Sequence, residues 1–455
     1  MSGGIFCVIA FISCLVSGIS NWRYGLCAVT GWGYFFGILK AHYVSSMGHF
    51  IYDSAVIGFY LAILVSSAQL NPGIKWKKVW PWYLTLTAWP LFVALIPMQH
   101  YLVQLVGLRG NIFFLPMILI GLIMDSRCRS LFTYELAILN IVSFGFALAE
   151  YYLGVETFVP ENEATFIVFN SNDVAGGNKR IPSIFANAHS YAGTMVSTLP
   201  WLVGEIIVGK KFRIQNIVLI LGVIFGLLGV FIAGPRSPVV ILGLLVFLIV
   251  FSGRISFGLI LFMSIIGVVV SYFVSQDERM QRFSELQDIE SVMWRINGSL
   301  NMSFFDVLFD YPMGNGMGGG GTSLPGFAQG LLKQQVMLEN EYARILLEQG
   351  LPGLLLWVGF IVWFFLQRIS LDDSARLSKT LLWFLTAIYF STAWIGVGLM
   401  TSVPHTTLLF LGLGYSISKT NFSYLKSKAN ILVGKNEPLE QKNLPAYQRG
   451  LAQIL

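Results

Sequence analysis

The chain is expected to be all-α, a polytopic helical membrane protein of about 12–13 transmembrane helices with one large extracytoplasmic loop. Three observations predict this. Hydrophobic residues fill 55% of 455 positions and charged residues only 11%, with a mean hydropathy of +0.69. No soluble domain of this length has such a composition. Apolar runs close to the bilayer-spanning length recur along the chain, interrupted by short polar loops. Finally, basic residues crowd into alternate loops, as the positive-inside rule requires of inserted helices.

In order, the spans are expected at roughly 4–20, 25–40, 50–70, 79–97, 111–124, 131–149, 189–208, 214–233, 237–251, 255–274, 351–366, 380–397 and 403–418. The first reads as a retained span rather than a signal peptide, because no basic n-region precedes it. One set of loops, together with the tail, holds 19 of the 29 basic residues. It includes Arg23, Lys77, Lys78, Arg127, Arg129, Lys210, Lys211, Arg254, Arg376 and Lys379. These loops and the tail 419–455 are therefore read as cytoplasmic, leaving loops 150–188 and 275–350 outside. The region 1–418 is read as a single helical domain. The net charge of +6 reflects this topology and gives no reason to expect nucleic acid as a partner.

The 275–350 stretch is the only long polar passage, with five basic and ten acidic residues. Its last part, from Leu338, reads as a helix ended by Gly350 and Pro352. On that helix Glu341, Arg344 and Glu348 fall three and four apart, an ion-paired and solvated face. Glu339 falls instead on an apolar stripe with Leu332, Val336, Tyr342 and Leu346, where a carboxylate needs a partner or a task. Asn340 and Tyr342 flank it and are candidate substrate contacts. The run Gly314–Gly321 lacks the strand and the Lys-Ser/Thr of a nucleotide loop, and is read as a flexible hinge. Arg236, between Pro235 and Pro238, is placed where two spans meet on the outer face. Arg180 precedes a span mouth that carries Asn187 and His189. Arg295 sits on an amphipathic stripe of the long loop with Val292 and Ile296. The four cysteines and five histidines show no ligand spacing, so no metal and no other cofactor is expected.

Taken together, these features resemble the O-antigen ligase and polymerase superfamily, bacterial GT-C-type glycosyltransferases that act on lipid-linked glycans. The resemblance covers roughly residues 80–420. It rests on Arg236 with Val240 after it, Trp294-Arg295 early in the large loop, the Pro312–Gly318 passage, Gly350-Leu351-Pro352-Gly353, and Val106-Gly107-Leu108-Arg109-Gly110 before a span. Ligases of the family carry a histidine separated by ten residues from the glycine matched by Gly350; Glu339 stands at that position instead, which favours a polymerase. The resemblance implies an inverting, metal-independent enzyme of the bacterial inner (plasma) membrane, with its active site on the periplasmic or extracellular side. It would join polyprenyl-pyrophosphate-linked repeat units, as both donor and acceptor, into a cell-surface polysaccharide. A flippase and a chain-length regulator are the implied partners. In this scheme Arg236 and Arg295 neutralise the departing pyrophosphate with help from Arg180, and Glu339 takes the acceptor's proton. Two alternatives stay open: a ligase passing glycan to a lipid or protein acceptor, and a transporter of lipid-linked sugar that would use intramembrane charges such as Glu135, Glu205 and Asp53.

Overall fold

Long apolar runs favour helices because a backbone in hydrocarbon must satisfy its own hydrogen bonds. In the computed structural model the described residues form seventeen α-helices, two short 3-10 helices (Ser46–Phe50 and Val155–Thr157) and no strand. The structure describes residues 2–66, 76–170, 179–208, 214–251, 283, 289–299, 304–321, 324–334, 336, 338, 340–367, 369, 375–396 and 398–418. The helices are α1 Ser2–Ser20, α2 Trp22–His42, α3 Ile51–Val65, α4 Trp76–Ala94, α5 Tyr101–Ile112, α6 Pro116–Ile123, α7 Ser126–Leu153, α8 Phe166–Asn170 and α9 Ala188–Val208. They continue with α10 Ile214–Ala233, α11 Arg236–Phe251, α12 Ile289–Ser299, α13 Asp306–Asp310, α14 Gly326–Gln329, α15 Glu341–Phe365, α16 Arg376–Thr392 and α17 His405–Ile417. All of these belong to one unit, Met1–Ser418; the second unit, Lys419–Leu455, lies outside the described residues.

Among the described residues, six helices are long and apolar enough to cross a membrane: Gly3–Ser20, Ser46–Val65, Tyr101–Ile123, Ser126–Leu153, Asn216–Ala233 and Glu341–Phe365. Their ends follow local chemistry. Asn21 caps α2 by accepting from the Arg23 N–H, and Asp125 caps α7 by accepting from the Cys128 N–H. Gly154, with φ +87°, stops α7. The expected 255–274 span lies outside the described residues.

Two expectations are corrected. The passage Val106–Gly110 does not precede a span but lies inside one, on α5. The charge of Arg109 is tolerated there because Asp53 on α3 accepts it through two bonds, of 2.6 and 2.7 Å. The second correction concerns the end of the long loop. Helix α15 starts at Glu341, with Asn340 in extended geometry (φ −135°, ψ 153°), and Leu332, Val336 and Leu338 are not helical. A helical stripe running from Leu332 through Glu339 therefore does not exist. Gly350 does interrupt the helix, at φ 71° and ψ −179°, and α15 resumes beyond the kink.

Packing relies on close backbone approach, the main route to helix association where lipid is as apolar as the helices. Helix α6 lies on α17, and a β-carbon at Gly121 or Gly414 would collide with the Leu411 or Ile118 carbonyl. Helix α7 packs on α10, α9 and α2, and α16 joins α9 to α17. On the other side of α1, Ile5, Val8, Ile12 and Val16 are exposed, an outward face suited to lipid. The loops sort into two ends. Arg23 binds Asp125, and Lys379 donates to the Ser418 carbonyl, at the end carrying the basic loops. At the other, Asn162 donates to the Ala41 carbonyl, Gln99 to the Asn315 carbonyl, and Gly398 N–H to Glu341.

Candidate functional site

The second of these ends carries most of the predicted site residues. The segment 180–187 is folded against the bundle by its backbone. Ser183 adopts φ 54°, its N–H donates to Glu150 Oε2 at 2.8 Å and its hydroxyl to the Ser143 carbonyl at 2.6 Å. Ile38 N–H donates to the Ile184 carbonyl, and Phe185 packs between the rings of Tyr34 and Tyr191. Asn187 then opens α9 by accepting from the Ser190 N–H at 2.8 Å. One residue further His189 is exposed, with its Nε2 2.7 Å from Arg180 Nη1. A guanidinium has donors only, so His189 accepts through Nε2 in this pair. Sequence proximity of Arg180, Asn187 and His189 is thereby converted into a cationic, polar mouth at the start of α9.

Arg236 joins this end from a different helix. Gly234, with φ +86°, and Pro235 turn the chain between α10 and α11, and Arg236 is the first, half-buried residue of α11. The register is set by Gly229 on α10, where a β-carbon would come within 2.6 Å of the Tyr191 hydroxyl on α9. His189 and Arg236 therefore lie at the same end of three mutually packed helices. Arg295 lies on α12 beside Trp294, which is 79% exposed, but its side chain is outside the described part. Glu339 is outside the described residues altogether.

Asn340 and Tyr342 lie in the interior. Asn340 caps α15 through the Ala343 N–H, and the Tyr342 hydroxyl donates to the Phe390 carbonyl at 2.6 Å. Both side chains are buried, Tyr342 against the ring of Trp394.

The expected solvated face of Glu341, Arg344 and Glu348 is corrected. The three do pair, but all are 0% exposed. Arg344 reaches Glu341 Oε1 at 2.7 Å and Glu348 Oε2 at 2.7 Å, and also contacts Asn111 Oδ1 and Met400 Sδ. Glu341 Oε2 accepts the Gly398 and Leu399 N–H groups. Glu348 Oε2 accepts Asn111 Nδ2 at 2.6 Å, while Oε1 has no partner. Charges this deep survive because nearly every polar atom is bonded. The spacing foretold the pairs; burial came from Asn111 and residues 398–400, which no local pattern connects to α15.

The glycine run is also not a hinge. Gly316 to Gly320 are buried, with Asn315 N–H donating to the Leu347 carbonyl at 2.6 Å and Leu351 N–H to the Pro312 carbonyl at 2.9 Å. The passage is docked into the α15 kink, where a β-carbon on Gly350 would lie 2.7 Å from the Met313 carbonyl. Glu150, which holds Ser183, was not foreseen as part of this region; its only sequence signal is a carboxylate near the end of an apolar run. Among the described residues, no three His, Cys, Asp or Glu side chains are placed to share a metal. No protein-family model and no curated protein matches the chain.

Proposed function

We propose that the chain is a polytopic membrane glycosyltransferase of about 12–13 spans, with the 275–350 region on the outer side, that joins polyprenyl-pyrophosphate-linked repeat units. The observation that carries this reading is the mouth of Arg180, His189 and Arg236 at the end of the bundle opposite the basic loops. Permanently charged, bidentate guanidinium groups at a membrane surface suit a lipid-borne diphosphate.

In this mechanism the donor lipid lies among the helices, its pyrophosphate against Arg236, Arg295 and Arg180. The acceptor hydroxyl attacks the anomeric carbon from the opposite face. The bond from that carbon to pyrophosphate oxygen breaks, configuration inverts, and the hydroxyl proton passes to Glu339, the residue before the α15 cap. Each well-placed cation contributes on the order of 3 kcal/mol to the departing charge in a water-poor site. Asn187 and His189 are placed to touch the sugar. A second reading, transport of the lipid-linked sugar, is favoured by one observation: Glu135 and Glu150 lie on the membrane helix α7 with carboxylate oxygens that no group satisfies.

Proteoliposomes holding the purified chain and lipid-linked repeat units separate these readings. Lengthening of the lipid-linked glycan without ATP is expected. Movement of the units across the bilayer without lengthening would establish the transporter instead. For sidedness, a cysteine at Asn297 should react with an impermeant thiol reagent in intact cells, and one at Asp373 only after lysis. The reverse pattern overturns the external site.

A further inference from the structure

Helix α7 carries a buried polar face along its whole length. From the basic-loop end it presents Arg129, Thr133, Asn140, Ser143 and Glu150, with the half-buried Glu135 to one side of them. Arg129 to Glu150 spans 21 residues, ~32 Å of helix, which is about the thickness of the hydrocarbon layer. Much of the face is joined by hydrogen bonds. Tyr34 donates to Asn140 Oδ1 at 2.9 Å, and Asn140 donates to Thr198 at 2.8 Å. Ser143 bonds the Asn140 carbonyl, and Ser183 links the Ser143 carbonyl to Glu150.

Its two carboxyl groups are the exception. Glu150 is 1% exposed; Oε2 accepts the Ser183 N–H, and Oε1 has no partner. Glu135 is half-buried: its Oε2 is buried without a partner, while the carboxyl group bonds the Cys27 thiol of α2 and its Oε1 lies near Gly31. Among the described residues no cation faces either one. Around Glu150 the titratable neighbour is Tyr191 of α9, whose hydroxyl is itself unpartnered. Around Glu135 they are Cys27 and Tyr34 of α2 and Cys128 of α7. Helix α10 contributes no titratable side chain. The basic groups at the two ends are committed: Arg129 to Glu205, Lys179 to Glu156 and Arg180 to His189.

An ionised carboxylate so placed has neither water nor a counter-charge. We propose that Glu135 and Glu150 are proton-binding sites within the membrane, each held as a neutral carboxylic acid. The ligand class is the proton itself. For Glu150 the proton sits on Oε1 while Oε2 keeps the Ser183 N–H. Loss of that proton would put an uncompensated charge directly behind Ser183, in the segment that carries Arg180 and Asn187. Proton release is therefore linked to the placement of that segment.

The test is made on the intact protein in lipid. Infrared spectra at neutral pH should show carbonyl bands of protonated carboxylic acids, and Glu150→Gln and Glu135→Gln should each remove one. Gln is neutral and of the same shape, so both variants should remain folded, which thermal melting checks. Dicyclohexylcarbodiimide, which reacts with a protonated acid in apolar surroundings, adds its C=N bond across the acid, and the proton passes to nitrogen. Adducts on wild type should map to Glu150 and Glu135 and fade as pH rises. Bands unchanged in both folded variants, together with no adduct on either residue, would overturn the proposal. Because no step here uses glycan transfer, its failure and that of the enzymatic reading are read from different assays.

Discussion

Two charged regions of this protein look alike in sequence and are opposites in the folded chain. The first two turns of α15 have two glutamates around Arg344, all three sealed in the interior and bonded to Asn111, Gly398 and Leu399. The mouth formed by the 180–189 segment and Arg236 also carries arginines among polar residues, yet His189 is exposed and Arg180 and Arg236 are half-buried. In the first region charge is matched by protein and holds elements together. In the second, the guanidinium of Arg180 is paired with an exposed histidine, and both arginines lie half-buried at the end of the bundle. The difference teaches that an arginine's role in a membrane bundle is read from what surrounds its guanidinium, not from its spacing to carboxylates.

The strongest way to break this comparison is Arg344→Met. It leaves Glu341 and Glu348 facing each other in the interior, and removal of one partner of a buried pair costs about 3–5 kcal/mol. The variant should fail to accumulate as a folded protein, measured by thermal melting and by gel filtration in detergent. Glu348→Gln should cost under ~1 kcal/mol, because Glu348 is the carboxylate in excess of the single cation and its Oε1 bonds nothing. Equal losses from both substitutions would show that the cluster does not depend on charge balance.

A smaller loss is expected from Gly350→Ala, about 1–3 kcal/mol. It forces a side chain into backbone geometry reserved for glycine and against the Met313 carbonyl. A melting temperature equal to wild type would mean that the docked glycine passage is not held by the kink.

The smallest effect on stability belongs to the mouth. Arg236→Lys and Arg180→Lys should leave melting within ~0.5 kcal/mol of wild type. Repeat-unit joining should nevertheless fall by roughly 10²-fold, because an ammonium cannot reproduce the bidentate fork. Melting losses comparable to those of Arg344→Met would make this region structural like the other, and the contrast would disappear.

Much of the architecture was legible in the chain. Helices appear where apolar runs predict them, α9, α10 and α11 within a residue or two, because hydropathy and the need to satisfy backbone bonds act locally. The break at Gly350 was legible for the same reason: only glycine tolerates its backbone angles. Errors arose where polarity was taken for exposure. Arg109 is expected just before a span and lies within one, since Asp53, 56 residues away, accepts its charge. The run Gly314–Gly321 reads as a hinge, yet its centre, Gly316–Gly320, is buried, since the turn closes on residues of α15.

The sequence by itself determined that this is a helical chain, which segments are apolar enough to enter a membrane, and which side chains carry charge. Only the tertiary structure decided which charges are buried and matched, as at Arg344, which polar groups are exposed, as at His189, and which carboxyl groups are buried with an oxygen unpartnered, as at Glu150. The physical reason is range. Hydropathy and backbone geometry are properties of a few neighbouring residues. The solvation of a charge depends on whatever the rest of the chain brings within a few ångströms of it.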